Sequence, residues 1–276
     1  MQDPADAELL EQARAGDERA LEKLLERHQA QVYRFGLKMC RDPEDAKDVL
    51  QETLLTLARG LRDFRAAASL STWLYTVARS HCIKQRRKSK FAPQQVGSIE
   101  TDAASEAERL ADAAQGPDEA LAGRQVENAL EQAIAALEPM YREVLLLRDV
   151  EGLTAPEVAE VLGMSGQAVK SRLHRARLAV RAQLAPLLGI PDDPKAPGTC
   201  PDVLTLFSQH LEDEISADVC AQMQRHLEAC GRCRGACDSL KRTLALCRTA
   251  GPSVDVPASV QASVKVALRD FLAEKV

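Results

Sequence analysis

Four residues near the end of the chain have the types and spacing of a metal site. His226 and Cys230 lie four apart, Cys233 follows in a C-x-x-C turn, and Cys200 precedes His226 by 26 positions. Three thiolates and an imidazole form a soft, tetrahedral donor set that suits zinc. Cys220, Cys237 and Cys247 exceed what a four-ligand site uses, and are candidates for a second ion or a redox role. Cys237 falls four residues after Cys233 on the same expected helix, whereas His210 reads as a solvated histidine. Cys40 and Cys82 are scattered elsewhere. The amino terminus is acidic and polar, without the pattern of a secretory signal, so the expected location is cytoplasmic. In a reducing compartment metal binding or redox sensing is favoured over structural disulfides.

A second chemistry is carried by cations. The net charge of −5 argues against a polyanionic partner, but the distribution does not. No acid occurs between Asp63 and Glu100, where Arg65, Arg79, Lys84, Arg86, Arg87, Lys88 and Lys90 fall. None occurs between Glu160 and Asp192, where Lys170, Arg172, Arg175, Arg177 and Arg181 fall. The intervening stretch is acidic. Two basic patches on an acidic tether imply two contacts on one nucleic acid. The second patch lies in TAPEVAEVLGMSGQAVKSRLHRARLA. Thr154 caps one helix, Gly163 supplies a left-handed turn, and Ser165 caps a second. Val169, Leu173, Ala176 and Val180 form the buried stripe of the second helix, leaving Gln167, Lys170, Ser171, His174, Arg175 and Arg177 outward. That is a helix-turn-helix with a polar face able to reach phosphates and base edges in a major groove.

The elements that must position these residues are helices. Of 276 residues 45% are hydrophobic and 28% charged, but only 3% aromatic, a balance that favours an all-α fold. Six of the nine aromatics lie between Tyr33 and Phe91. Some of these could stack on unpaired bases, although Tyr33, Phe35 and Trp73 read as core. Asp42-Pro43 restarts the chain as N-cap and first helical residue, opening a helix to about Leu61. Ser71–Lys88 forms another. Breakers and composition divide the chain into a helical unit at 5–92, an acidic flexible linker at 93–118, a second unit at 119–188, a Pro/Gly-rich linker at 189–199, a cysteine-rich domain at 200–250 and a tail at 251–276. The tail places Val260, Val264, Leu268, Phe271 and Leu272 on one face of a helix that needs a surface to cover it. The longest aliphatic run, Val144–Leu147, is far too short for a membrane span.

RDPEDAKDVLQETLLTLARGLRDF followed by SLSTWLYTVARSHCIKQRRK closely resembles region 2 of bacterial extracytoplasmic-function (ECF) sigma factors. LEPMYREVLLLRDVEGLTAPEVAEVLGMSGQAVKSRLHRAR resembles their region 4. The resemblance implies an initiation factor, not an enzyme, that brings core RNA polymerase to promoter DNA through the β′ clamp and β flap. It places Asp45, Asp48, Gln51 and Glu52 on the helix that docks on the β′ clamp. Arg65–Ser69 matches the loop that captures a flipped −10 base, and Arg79, Ser80, Lys84, Arg86, Arg87 and Lys88 match the helix lining the melted strand. Lys170, Ser171, His174, Arg175 and Arg177 match positions facing the −35 element. Ser80 stands where many relatives have asparagine, and the capture loop is mostly alanine, so the −10 preference does not transfer.

The cysteine-rich segment resembles the zinc-binding anti-sigma domain, with LFSQHLEDEI standing for its LxxYLDGEL-like helix and HLEACGRC for its HLxxCxxC signature. The resemblance implies that this domain is fused to the sigma factor, an arrangement in which a separate anti-sigma factor can be dispensable. A fused cysteine-rich extension also characterises the CorE-like metal-responsive sigma factors, so the resemblance implies control by zinc, cadmium or copper bound through Cys200, His226, Cys230 and Cys233. Two alternatives stay open: a sigma factor whose zinc is structural or redox-sensing, and an autonomous helix-turn-helix repressor.

Overall fold

The computed structural model describes residues 4–61, 64, 69–91, 117–187, 200–249 and 255–273. Every element among them is helical, as the composition implies. The first unit comprises α1 (Pro4–Arg14), α2 (Glu18–Cys40), α3 (Pro43–Gly60) and α4 (Leu70–Phe91). The break at Gly16-Asp17 is made by a left-handed Gly16 and by Asp17, whose carboxylate accepts from the N–H groups of Arg19 and Ala20. Asp42 repeats the device for α3, accepting from Glu44 and Asp45 with Pro43 in the first turn. Leu24, Val32, Phe35, Val49, Leu50, Leu57 and Leu74 are fully buried between these helices. Phe35 meets Tyr75 edge-on at 5.3 Å, and Phe64 meets Trp73 at 6.0 Å. Tyr33, Phe35, Phe64 and Tyr75 are therefore core residues rather than base-stacking platforms.

The second unit comprises α5 (Pro117–Ala136), α6 (Pro139–Leu145), a π turn (Leu146–Val150), α7 (Ala155–Leu162) and α8 (Gly166–Leu184). The helix-turn-helix forms as its local chemistry dictates. Thr154 and Glu157 make a reciprocal capping box, Gly163 takes φ 63°, and Ser165 caps α8 by accepting from Ala168. Val169, Leu173, Ala176 and Val180 are all fully buried.

The two units are packed together. Arg34 of α2 pairs with Glu151, its Nε donating at 2.9 Å, and the Tyr75 hydroxyl donates to the same carboxylate at 2.7 Å. Arg79 of α4 donates to Glu143 of α6 at 3.0 Å, and Arg41 donates to the Ala135 carbonyl. One apolar core runs through both units.

The third unit comprises α9 (Val203–His210), α10 (Ala217–Ala229) and α11 (Gly231–Thr249), with a small core of its own around Phe207, Met223, Cys237 and Leu240. The tail forms α12 (Ala258–Ala273). It answers the need of its apolar stripe by packing on α3, with Val260, Val264 and Leu268 buried and Lys265 paired to Glu26 of α2 at 2.9 Å. The Phe271 and Leu272 side chains, residues 93–116 and all of the linker at 189–199 lie outside the described residues.

Candidate metal centre and nucleic-acid interface

The metal ligands come from three elements that would not otherwise meet. Cys200 precedes α9, whose N-cap Asp202 accepts from Thr205. His226 occupies the last turn of α10. Cys230 does not continue that helix: it is extended, φ −117° and ψ 99°, while its N–H still donates to the His226 carbonyl at 2.8 Å. This bend turns the chain so that Cys233, in the first turn of α11, returns to the same point. The donor atoms of Cys200, His226, Cys230 and Cys233 all lie within 4.8 Å of one another. Ligands about 2.0–2.3 Å from a tetrahedral zinc stand roughly 3–4 Å apart, so the donor set fits. The buried His226 Nε2 has no hydrogen-bond partner, as a nitrogen awaiting a metal should not. Burial and hydrogen bonds with the neighbouring thiols push the Cys233 thiol up to about 12, whereas hydrogen bonds from Cys233 lower that of Cys230.

The three further thiols do not join this cluster. Cys237 is buried in the module's core, its Sγ 3.8 Å from the Val203 carbonyl oxygen. Cys247 is buried against the first two units, with its thiol pushed up to about 12 by burial. Cys220 lies 3.8 Å from Nδ1 of His210. One turn of α11 beyond Cys233 carries Cys237 into apolar packing.

On the first unit, Asp48, Gln51 and Glu52 line one cleft of about 380 Å³ with Val49, His81, Lys84 and Gln85. Gln85 donates to Asp48 at 2.9 Å. Asp45 lies one turn earlier on α3, its carboxyl pushed up by partial burial and by Asp42 and Asp48. On α4, Ser80, Lys84, Arg86 and Arg87 are exposed while Arg79 is engaged by Glu143. Arg65 and the Lys88 side chain lie outside the described residues.

On the second unit the outward face of α8 is only partly outward. Ser171 and Arg175 are exposed, the latter donating to the Tyr141 hydroxyl at 3.3 Å. Arg177 is 2% exposed, which corrects its expected outward placement. Its guanidinium makes two bonds to Asp149, at 2.9 and 2.7 Å, and one to Glu212 at 2.8 Å. Burial opposes its charge, but the two hydrogen-bonded carboxylates outweigh it and raise the Arg177 pKa. The signal was present in the sequence: Arg177 is four residues after Leu173 and three before Val180, on the apolar stripe itself.

Glu212 belongs to the third unit. It also accepts from Arg148 at 3.1 Å, while Lys170 donates to the Glu212 carbonyl at 3.0 Å and pairs with Glu214 at 3.6 Å. Thr205 meets Nε2 of His174 at 3.2 Å, and Arg181 donates to Ser239. Asp213 makes this geometry possible. It adopts φ 55°, folding the chain sharply behind α9, and it stands where the LxxYLDGEL-like pattern has glycine. Lys170, His174 and Arg177, three of the five residues expected to face DNA, are therefore held by the cysteine-rich unit. Burial lowers the His174 pKa and so favours its neutral form.

Two helical units, the second ending in a helix-turn-helix, define a bipartite DNA-binding transcription factor. Models of Sigma-70 region 2 and Sigma-70 region 4 match residues 24–91 and 127–180, and a zinc-finger model matches residues 200–234. ECF RNA polymerase sigma factor SigM of Mycobacterium tuberculosis H37Rv is 34% identical over 67% of this chain and 85% of its own length. RNA polymerase sigma-H factor of Pseudomonas aeruginosa is 29% identical over 66% and 95%. The solved structure of CnrH in complex with the cytosolic domain of CnrY is 26% identical, over 66% of this chain and 99% of that one, with a TM-score of 0.47. The chain belongs to the ECF RNA polymerase sigma factors, which bind core RNA polymerase and promoter DNA and initiate transcription. Among the described residues no helix is long and apolar enough to cross a membrane.

Proposed function

We propose that this sigma factor carries its own inhibitor: residues 200–250, folded around a metal, cover the DNA-reading face of α8 and keep the factor closed. The observation that carries the proposal is the enclosure of Arg177 by Asp149 and by Glu212 of the cysteine-rich unit. Lys170 and His174 are held by the same unit, so carboxylates and a hydroxyl take the places that phosphates and base edges would take.

Closure also follows from the contacts between the first two units. The −10 and −35 elements of a promoter lie roughly two helical turns apart, at about 34 Å per turn. Units joined through Arg34–Glu151 and Arg79–Glu143 cannot reach both. Initiation requires these pairs to part, so that Arg79 joins Ser80, Lys84, Arg86, Arg87 and Lys88 at the melted strand, and the cysteine-rich unit to leave, so that Lys170 and His174 join Ser171 and Arg175 on duplex. Arg177, tied to Asp149 within its own unit, orients α8 instead of reading bases. Asp45, Asp48, Gln51 and Glu52 present the acidic surface for the β′ clamp. Cys200, His226, Cys230 and Cys233 hold the metal, with zinc the best fit. Bound there, zinc crosslinks three chain segments, and the filled module is the inhibitory form. Ligand binding favours whichever state it stabilises, and the folded module is the one that fits α8. A separate anti-sigma factor is then not required for the closed state.

Run-off transcription with core polymerase tests this. A chain ended at residue 199 should initiate from a cognate promoter, and more strongly than the metal-loaded full chain. Equal activity of the two would remove the inhibitor, and inactivity of both at every promoter would remove the sigma assignment.

A further inference from the structure

Cys40 and Cys82, far from the metal cluster and 42 residues apart in sequence, bring their sulfurs to 3.0 Å. Cys40 is the last residue of α2 and Cys82 lies in the middle of α4, two helices packed on each other. Both thiols are free. Their separation is shorter than ordinary sulfur–sulfur contact and about 1 Å longer than a disulfide bond. Cys82 is fully buried and Cys40 half-buried, so reagents in solution reach the pair through Cys40. The hydrogen bond with Cys40 and burial push the Cys82 thiol up, and its enclosure keeps it from meeting an oxidant first.

We infer that Cys40 and Cys82 form a reversible redox site in the first unit, in which a hydroperoxide oxidises Cys40 and Cys82 resolves it to a disulfide. The Cys40 thiolate attacks one peroxide oxygen; an S–O bond forms, the O–O bond breaks, and the leaving hydroxide takes a proton to become water. Cys82 then attacks the Cys40 sulfur; the S–S bond forms, the S–O bond breaks, and hydroxide leaves with the Cys82 proton as a second water. Two thiols and one peroxide thus give one disulfide and two waters. A dithiol reductant reverses the reaction by becoming a disulfide itself.

The bond would fasten the end of α2 to the helix that carries Arg79, Ser80 and Lys84, next to the Arg79–Glu143 pair joining the first two units. It closes a long loop through α3, so it should stabilise the unit chiefly by restricting its unfolded chain.

The test uses the zinc-loaded full chain and hydrogen peroxide, so that the metal-bound thiolates are protected. After alkylation and digestion without reductant, mass spectrometry should find the Cys40 and Cys82 peptides joined, and separated again by dithiothreitol. Oxidation should also raise the melting temperature by about 5 °C, a shift lost in Cys82→Ala. Recovery of both peptides as alkylated thiols overturns the inference. So does over-oxidised Cys40 beside an alkylated Cys82. Because the joined peptide is sought in the unmodified chain, the result does not depend on how well the variant folds.

Discussion

Glu212→Ala should raise promoter-dependent initiation by the full-length, metal-loaded chain about 30- to 150-fold, the consequence of roughly 2–3 kcal/mol lost from the closed state. The direction follows from the geometry around Arg177. In the closed state its guanidinium is buried and needs Asp149 and Glu212 together. Without Glu212, closing would still desolvate Arg177 and Arg148 but would return only part of the compensation. In the open state Arg177 keeps Asp149 and Arg148 faces water, so neither depends on Glu212. Glu212 is not a metal ligand, so zinc content and helicity should stay as in the unmodified chain, which separates release from unfolding. The measurement is the rate of run-off transcript formation at saturating core enzyme. Activity equal to that of the unmodified chain would mean that the acidic turn behind α9 does not restrain α8.

Loss of the metal should have the larger effect. Chelation, or the double change Cys230→Ser with Cys233→Ser, is expected to unfold residues 200–249 and raise initiation to the level of the chain ended at 199. A module this small has a core of only eight well-buried apolar or thiol side chains. Below about 70–80 residues a single core seldom supplies more than about 3–5 kcal/mol, and a structural zinc can contribute about 10–16 kcal/mol at neutral pH. Far-ultraviolet circular dichroism should therefore lose the contribution of α9–α11 on chelation, and added zinc should restore both helix and repression. A chelated chain that keeps its helicity and stays silent would contradict the proposal, as would activation by zinc. Titration across zinc, cadmium and copper then separates a sensor, which fills within the cellular range, from a structural site that stays filled throughout it.

Much of this was legible in the sequence where the determining interactions are local. Thr154, Gly163 and Ser165 define the helix-turn-helix because capping and left-handed turns act within one turn of helix. Cys230 and Cys233 are legible because a C-x-x-C turn brings two donors together whatever surrounds them. The tail stripe of Val260, Val264 and Leu268 announced that something covers it, but not that α3 does. Long-range ion pairs carry no periodic signal, so the enclosure of Arg177 by Asp149 and Glu212, residues 28 and 35 positions away, stayed out of reach. So did the Arg34–Glu151 and Arg79–Glu143 pairs that hold the two DNA-contacting units together. The basic islands were read correctly as islands, yet three cations in them already have carboxylate partners. Charge runs disclose where a polyanion can bind, and folding decides which of those charges are free to do so.

The most direct measurement is the distance between α8 and α10, followed by energy transfer between labels at exposed Gln167 and Arg225. The account predicts high transfer in the free, zinc-loaded chain and its loss when core polymerase and promoter form an open complex. Undiminished transfer in complexes that are actively making transcript would contradict it, because the helix could not then be reading promoter DNA while its own chain covers it.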